Sequence, residues 1–361
     1  MQKELLFKAL QRVKDPLTGN DIVSAGMIES LDIDGNNVNI TMVLASMNIP
    51  NKSDLNFACI GAIQDQFPYA EVNVHVKSKL PNEKQAESPL PNIKNIIAVG
   101  SGKGGVGKST VAINLALGLQ AQGMKVGLID ADLYGPSIPT MLGLAGQRPK
   151  VEEIYGSPKL CPLDAFGMPV ISIGFLIEPE QAVVLRGPRL AGIIKQFFMD
   201  CLWPELDYLI VDLPPGTGDV QLTLVQTVPV TGAIIVTTPQ KVATADAIKA
   251  INMFGMPNVN VPILGIVENM SWFTPEELPE HRYMIFGEGG GESLAKEANT
   301  ILLGQVPLIQ SIRENGDNGQ PSVLFNSLVK EIYEQIAKNT IMQVESRNEN
   351  IDPTKRVQLT T

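Results

Sequence analysis

A short apolar segment, a glycine-rich loop and a second apolar segment follow one another in the chain and constrain its fold more than any other feature. Ile96–Val99 has the composition of a short buried strand, and residues 100–110 after it read GSGKGGVGKST. Residues 102–109 match G-x-x-x-x-G-K-[ST], in which glycines let backbone N–H groups turn inward around phosphates. Residues 109–123 are apolar almost all round, as in a helix packed against a sheet. The pattern predicts a phosphate-binding loop between a strand and a helix rather than a plain glycine-rich turn.

The chemistry of such a loop assigns a role to each part of the motif. Lys108 is placed to reach the β- and γ-phosphates of a nucleotide, and the hydroxyl of Ser109 is placed to bind Mg²⁺. The start of the following helix adds backbone N–H groups and a favourable dipole. The residues predicted to bind the nucleotide in this segment are Gly102, Lys103, Gly104, Gly105, Val106, Gly107, Lys108, Ser109 and Thr110.

The rest of the chain after residue 95 alternates short apolar runs with helical patterns. This alternation predicts an α/β fold in which helices cover both faces of a parallel sheet, as in a P-loop NTPase domain. The predicted strands are Ile96–Val99, Val126–Asp130, Val170–Ile173, Tyr208–Asp212, Ala233–Thr237, Ile263–Val267 and Ile301–Leu303.

A chain of 361 residues is longer than one ordinary domain, and its pattern changes near residue 80. The first part combines a helix at Ser53–Phe67 with alternating strands around Val38–Leu44 and Val72–Val76, which predicts a small α+β domain. A proline-containing segment without periodicity follows it. We therefore predict four regions: a small domain over 1–80, a linker over 81–94, the ATPase domain over 95–344 and a loose tail over 345–361.

The charge, hydropathy and cysteine content of the chain exclude several classes of function. The formal net charge is −10 and no run of lysine or arginine exceeds two residues, which argues against nucleic acid as a partner. No stretch of 18 apolar residues occurs, and the opening residues have an amphipathic helical pattern. We expect a cytoplasmic protein without stable membrane association. Three widely spaced cysteines offer neither a disulfide framework nor a C-x-x-C metal site.

Lys103 is a second lysine inside the phosphate loop. With it, the segment GKGGVGKST resembles the deviant Walker A motif of the MinD, ParA and nitrogenase iron protein class of ATPases. The resemblance implies that Lys103 crosses a homodimer interface and contacts the nucleotide of the other subunit, as an arginine finger does. The alternative is a solvated loop lysine.

Two acidic motifs follow predicted strands. Asp130-Ala131-Asp132 resembles the first switch of that class, in which Asp132 would orient or polarise the attacking water. The apolar strand Tyr208–Asp212 has the Walker B layout, so Asp212 is the predicted Mg²⁺ ligand beside Ser109, and residues 214–219 form the second switch. Each motif alone is also typical of a helix cap or a turn, and the phosphate loop is what favours the catalytic interpretation.

Longer motifs in residues 95–310 resemble the Mrp/ApbC family of ATPases, which are iron–sulfur cluster carriers. They include DADLYGPSIPTMLG, RGPRLAGIIKQF, ELDYLIVDLPPGTGD, TTPQKVATADAIKAINMF and IFGEGGGESLAKE. The segment GIVENMS matches the family position of an adenine-reading asparagine, which is Asn269 here. The first domain resembles the small PaaD-like module, with the opening DPLTGNDIVSAGMI.

The chain departs from that family in one segment. Relatives carry a C-x-x-C between ENMS and IFG, whereas residues 272–284 contain no cysteine. Iron–sulfur clusters are held by soft thiolates, typically four. The acidic residues of this segment and His281 are expected to be solvated rather than to hold a hard metal. Cys59, Cys161 and Cys201 are expected to be structural, so the cluster ligands stay unassigned and we expect weak cluster binding or none.

Three functions remain open from these observations. The first is a homodimeric, slowly hydrolysing ATPase that uses ATP and Mg²⁺ and acts in iron–sulfur cluster assembly or transfer to apoproteins, with scaffold proteins or apoproteins as partners. The second is a positioning or regulatory switch of the MinD/ParA kind, without cluster cargo. The third is a nucleotide-binding adaptor without hydrolysis, which turnover measurements would separate from the other two.

Overall fold

The computed structural model describes residues 3–15, 20–44, 52–78, 90–133, 135–154, 156–176, 187–257 and 259–354. The chain forms two compact units. One contains residues 1–86 and 348–352, and the other contains residues 87–347 and 353–361. The division between residues 86 and 87 lies inside the predicted linker.

The small unit combines two helices with a three-stranded sheet. Its elements are α1 (Lys3–Leu10), β1 (Ile28–Asp34), β2 (Asn37–Leu44), α2 (Lys52–Gln64) and β3 (Glu71–Ser78). The strand order is β1-β2-β3, with β1 antiparallel and β3 parallel to β2. The α+β class predicted for this unit is confirmed, and β1 was not predicted. The turn between β1 and β2 needs the positive φ of 60° at Gly35, and Leu31, Ile40 and Met42 lie in the core of this unit.

The large unit contains an eight-stranded sheet, which confirms the predicted α/β class. The strands are β4 (Ile93–Ser101), β5 (Val126–Asp130), β6 (Lys150–Ile154), β7 (Ser157–Cys161), β8 (Leu163–Ala165), β9 (Met168–Ser172), β10 (Leu206–Asp212), β11 (Gly232–Thr237), β12 (Ile263–Phe273) and β13 (Leu302–Leu308). The order in the main sheet is β13-β12-β11-β4-β10-β5-β9-β8, and the pairs are parallel except β8 with β9. All seven predicted strands are present in this sheet.

Helices cover both faces of the sheet. They are α3 (Lys108–Ala121), α4 (Ile138–Met141), α5 (Gly187–Met199), α6 (Asp219–Thr227), α7 (Lys241–Phe254), α8 (Gly290–Glu297), α9 (Gln310–Asp317), α10 (Ser322–Phe325) and α11 (Ser327–Asn350). One core packs α5, α6 and α7 on one face through residues such as Phe197, and the other packs α3 and α11 on the opposite face through residues such as Leu115 and Tyr333. Adjacent residues of β4 alternate between the two cores, as expected of a strand buried on both sides.

Two features of the large unit differ from the sequence-based expectations. The hairpin of β6 and β7 was not predicted, because the side chains of β6 are exposed or half-buried and give no apolar alternation. The final helix continues past the expected tail boundary at residue 345 to Asn350, since Val344 and Arg347 are buried. Among the helices of the described ranges, none combines the length and the apolar composition that crossing a bilayer requires.

Candidate nucleotide site

The phosphate loop connects the end of β4 with the first residue of α3. Gly105 and Gly107 have φ angles of 81° and 82°, a conformation that costs glycine little and other residues more. A Cβ atom on Gly102 would overlap the backbone of Asp246 in α7, so only glycine fits there. Gly104 and Gly105 are exposed to solvent, while Val106 is buried. The loop is thus fixed on its inner side and open on its outer side.

Lys108 and Ser109, at the start of α3, meet carboxylates from the two neighbouring strands. The Nζ of Lys108 lies 2.8 Å from Oδ1 of Asp212 and 3.2 Å from Oδ2 of Asp132. The hydroxyl of Ser109 donates to Oδ2 of Asp212 at 2.6 Å. These contacts exist because β5 and β10 are adjacent and parallel, with Asp130 beside Asp212 in the register. The structure therefore brings together the four residues that the sequence proposed for phosphate, magnesium and water.

The electrostatics of this cluster follow from its burial. Burial raises the pKa of Asp130 and of Asp212, and the neighbouring Asp212 raises the pKa of Asp130 further. Burial lowers the pKa of Lys108, but the attraction of Asp212 and Asp132 outweighs it, so the net shift is upward. Lys108 thus carries a positive charge among the side chains of three aspartates. A site with these charges favours a ligand that brings its own cation, as Mg²⁺-bound nucleotide does.

Two buried polar residues of the site were not found from the sequence. Ser172, at the end of β9, donates to Oδ2 of Asp130 at 2.8 Å. Gln221 donates to the carbonyls of Pro214 and Gly216, both at 2.9 Å, and holds the turn that follows β10. A single serine or glutamine has no spacing pattern that marks it, so only the strand register could have found Ser172.

Lys103 is half-buried and directly precedes the two exposed glycines of the phosphate loop. Its backbone carbonyl accepts a hydrogen bond from the hydroxyl of Ser101 at 3.0 Å, which fixes the loop at this point. Within the described part of the chain, the Lys103 ammonium forms no ion pair. The structure therefore keeps Lys103 apart from the Lys108 cluster of the same subunit.

Asn269, in the middle of β12, contacts the phosphate loop. Its Nδ2 donates to the carbonyl of Val106 at 2.9 Å, and the residue is 6% exposed. A Cβ on Gly107 would overlap this amide, so the contact requires glycine there. The neighbouring Glu268 accepts hydrogen bonds from the backbone of Gly291 at 2.6 Å and from Gln305 at 2.7 Å. The middle of β12 is thereby tied to both the phosphate loop and α8. Adenine reading by Asn269 stays a prediction.

The segment that lacks the C-x-x-C forms a loop with its own structural support. The backbones of Phe273 and Tyr283 exchange two hydrogen bonds of 2.9 and 2.8 Å. The guanidinium of Arg282 lies 4.6 Å from the centre of the Trp272 ring, a cation–π contact. The side chains of residues 276–281 are exposed. Among the described residues, no group of three or more His, Cys, Asp or Glu side chains is arranged to hold a metal ion.

The three cysteines lie in different parts of the fold, and none of them belongs to the phosphate loop. Cys59 is buried in the core of the small unit and donates to Sδ of Met42 at 3.5 Å. Burial raises the pKa of Cys59 and of Cys201 to about 12. Cys161, at the end of β7, is partly exposed, and its pKa is raised by burial and by Glu152. Cys59 and Cys201 are thus buried cysteines of the structural kind, which are unreactive.

Comparisons with known proteins agree with this architecture. The model of the ParA family, described as NUBPL iron-transfer P-loop NTPase, matches residues 92–341, and an iron-sulfur cluster assembly protein model matches residues 3–76. The iron-sulfur cluster carrier protein of Synechocystis sp. is 47% identical over 323 residues, which cover 89% of this chain and 91% of that protein. The iron-sulfur cluster carrier protein of Escherichia coli K12 is 51% identical over 257 residues, which cover 71% of this chain and 68% of that protein.

Solved structures give the same picture for the large unit. A nucleotide-binding protein from Archaeoglobus fulgidus, solved in complex with ADP, has a TM-score of 0.56 and 39% identity and covers 64% of this chain and 89% of its own. The cell division ATPase MinD of Pyrococcus furiosus shares the fold, with a TM-score of 0.52 and 22% identity over 69% of this chain and 98% of its own. The resemblance found in the motifs is thus confirmed. The chain belongs to the Mrp/ApbC family of P-loop NTPases, whose curated relatives are iron-sulfur cluster carrier proteins.

Proposed function

We propose that this protein binds ATP with Mg²⁺, hydrolyses the ATP slowly, and serves iron–sulfur cluster assembly or transfer to apoproteins in the cytoplasm. The observation that carries the nucleotide part is the contact of Lys108 and Ser109 with Asp132 and Asp212 beside the phosphate loop. The cluster part is supported by the relatives, which are named as iron-sulfur cluster carriers.

Each residue of the site has a distinct task in this proposal. Lys108 and the backbone N–H groups of the loop bind the phosphates and neutralise their charge. The hydroxyl of Ser109 and the carboxylate of Asp212 fit a magnesium site, because oxygen ligands suit this ion. When bound, Mg²⁺ supplies further charge stabilisation to the transferred phosphoryl group. Asp132 orients the attacking water by accepting its hydrogen bond.

The proposal includes a homodimer in which each Lys103 contacts the nucleotide of the other subunit. The support for this contact is that Lys103 stands next to the exposed Gly104 and Gly105, while Lys108 is the lysine that engages the carboxylates. A positive group supplied by a second subunit stabilises the charge that develops in the transition state. Hydrolysis is then slow in the isolated subunit and rises on dimer formation.

The way in which this protein would handle a cluster differs from that of a carrier that binds the cluster with its own pair of thiolates. The loop over residues 272–284 has no thiol, and Cys59 and Cys201 are buried. We propose that the partner supplies the cluster ligands, while the nucleotide state of this protein controls how tightly the partner binds.

Phosphate release from ATP tests the nucleotide part. We expect Mg²⁺-dependent turnover in the wild type and none in Lys108→Ala, which also fails to bind a fluorescent ATP analogue. Lys94→Ala is a matched control. It also removes a lysine from a 2.8 Å ion pair, the one with Asp207, but Lys94 is exposed and lies outside the phosphate loop. Unchanged ATP affinity in folded Lys108→Ala would exclude the phosphate-loop assignment.

Anaerobic transfer tests the cluster part. Apo-ferredoxin, ferrous iron and sulfide are incubated with the protein, and formation of holo-ferredoxin is followed by its visible absorption. We expect faster formation when ATP is present. ATP turnover without any effect on ferredoxin would favour the second candidate, a regulatory switch without cargo, which the thiol-free loop supports.

A further inference from the structure

Three polar side chains lie in a row across the carboxyl ends of adjacent strands. Asp212 of β10 is beside Asp130 of β5, and Asp130 is beside Ser172 of β9. All three side chains are fully buried. Asp212 belongs to the proposed magnesium site, whereas the motifs assign no role to Ser172. The buried hydroxyl of Ser172, at the end of this row, is therefore a part of the site whose role is not yet explained.

The hydroxyl of Ser172 fixes the carboxylate of Asp130. It donates to Oδ2 of Asp130 at 2.8 Å and accepts a hydrogen bond from the backbone N–H of Gly174 at 2.9 Å. The other oxygen of Asp130, Oδ1, accepts the backbone N–H of Asp132 at 3.1 Å. A continuous chain of hydrogen bonds thus runs from Gly174 through Ser172 and Asp130 to the backbone of Asp132. Rotation of the Asp130 carboxylate would break this chain at two points.

The turn after Ser172 holds the same switch segment at a second place. Residues 173–175 form one turn of 3-10 helix that Ser172 caps. A Cβ on Gly174 would lie 3.1 Å from Cβ of Pro136 and 3.0 Å from Cγ of Pro139. These distances are shorter than ordinary carbon contacts, so a larger residue at 174 would push the two prolines outward by a few tenths of an ångström. The segment after Asp132 is therefore supported at its start by Ser172 and further along by Gly174.

We propose that Ser172 and Gly174 are positioning residues for hydrolysis, which set the place of Asp132 through Asp130 and through the two prolines. The inference rests on the proposed ATP hydrolysis and adds a supporting element, β9 with its following turn, to the first switch. Asp132 must lie within hydrogen-bond distance of the attacking water, and a displacement of about 1 Å can cost about a hundredfold in rate. Nucleotide binding, which relies on the phosphate loop, does not pass through this support.

Hydrolysis and ATP affinity, measured separately, test the proposal. We expect Ser172→Ala to lower kcat about tenfold or more while the Kd for a fluorescent ATP analogue changes less than about twofold. Ser172→Thr keeps the hydroxyl and should recover most of the rate. Ser322→Ala is the matched control, because Ser322 is equally buried and its hydroxyl also donates, to the carbonyl of Ser311. A kcat of Ser172→Ala within about twofold of the wild type, or an equal loss in Ser322→Ala, would overturn the proposal.

A second readout does not depend on turnover. Hydrogen–deuterium exchange of the nucleotide-free protein, over peptides covering residues 132–141, should be faster in Ser172→Ala and unchanged in Ser322→Ala. Unchanged exchange in Ser172→Ala would refute the positioning role, whether or not the wild type hydrolyses ATP. Absence of hydrolysis in the wild type would instead refute the proposed activity. If Ser172→Ala fails to fold, Gly174→Ala decides: a lower kcat at constant Kd supports the proposal, and an unchanged kcat overturns it.

Discussion

Lys108→Ala removes the ammonium group that lies among three buried aspartates, so we expect it to destabilise the protein before any nucleotide is added. Asp130 and Asp212 are 0% exposed and Asp132 is 8% exposed. Removing one partner of a buried ion pair costs about 3–5 kcal/mol, because the remaining charge stays in a poorly polarisable interior. For a unit of this size, such a loss lowers Tm by roughly 6–20 °C.

The loss of stability in Lys108→Ala should depend on pH, and the titration of Asp212 decides whether it is larger at high or at low pH. Burial raises the pKa of Asp212, and Lys108 opposes this shift. Without Lys108 the pKa of Asp212 lies further above its unfolded value of about 3.9. Between the unfolded and the native pKa of Asp212, the native state of the variant binds more protons than the unfolded state. The stability of Lys108→Ala therefore falls as the pH rises from the lower to the higher of these two pKa values. The Tm deficit of Lys108→Ala relative to the wild type should be larger at about pH 8 than at about pH 5.

Thermal unfolding without nucleotide or Mg²⁺, at both pH values, measures this effect. Lys94→Ala serves as control: the Lys94–Asp207 distance is also 2.8 Å, but Lys94 is 74% exposed, and water screens such a pair. Its Tm should stay close to that of the wild type. Adding Asp212→Asn to Lys108→Ala removes one unpaired carboxylate and should recover part of the loss. A Tm of Lys108→Ala within about 2 °C of the wild type, or a deficit equal at both pH values, would refute the reasoning.

Three further predictions concern the catalytic residues and the cluster. Lys103→Ala should lower kcat by at least about tenfold with little change in ATP affinity. Mixing this variant with Asp132→Ala should restore one working site in each mixed dimer. Verified heterodimers without activity would exclude the action of Lys103 across the interface. Asp132→Asn should lower turnover at nearly constant ATP affinity, whereas Asp212→Asn should raise the Mg²⁺ concentration needed for half-maximal turnover. An equal loss of turnover in Asp130→Asn, together with normal turnover in Ser172→Ala, would move the water-orienting role to Asp130. Anaerobic reconstitution of the purified dimer with iron and sulfide should leave little or no visible charge-transfer absorption, and a stable stoichiometric cluster would contradict this, with Cys161→Ser and Cys201→Ser then locating its ligands.

Seven of the eight strands of the large sheet were predictable, because burial on both faces gives each of them a short apolar run; β8 was not predicted. Ile96–Val99 and Tyr208–Asp212 are examples, and the loop or carboxylate that follows each run marks the carboxyl edge of the sheet. The meeting of Lys108 with Asp212 was predictable from the same motifs. The exposed hairpin of β6 and β7 was not, because it buries too little to leave an apolar pattern.

The supporting contacts of the site depend on register and packing, which single motifs do not encode. Ser172 meets Asp130 because β9 pairs with β5, two strands that are separated by about 40 residues of chain. Gly102 looks like one more flexible loop glycine in the sequence, yet its role is close packing against α7. The contact of Asn269 with Val106 likewise joins positions far apart in the chain, and only the folded arrangement shows it.

The loop over residues 272–284 is closed by paired backbone hydrogen bonds and by the Arg282–Trp272 contact, and none of these involves sulfur. Its shape is therefore indifferent to oxygen, since no thiol there can be oxidised and no metal is needed to hold the turn. Chelators, and the oxidation of thiols by air, unfold or inactivate loops that are organised around thiolates, but neither acts on the contacts that close this loop. The contacts that close this loop are the same in oxidising and in reducing conditions, so under the proposed function a partner that carries the cluster would meet one loop geometry in both.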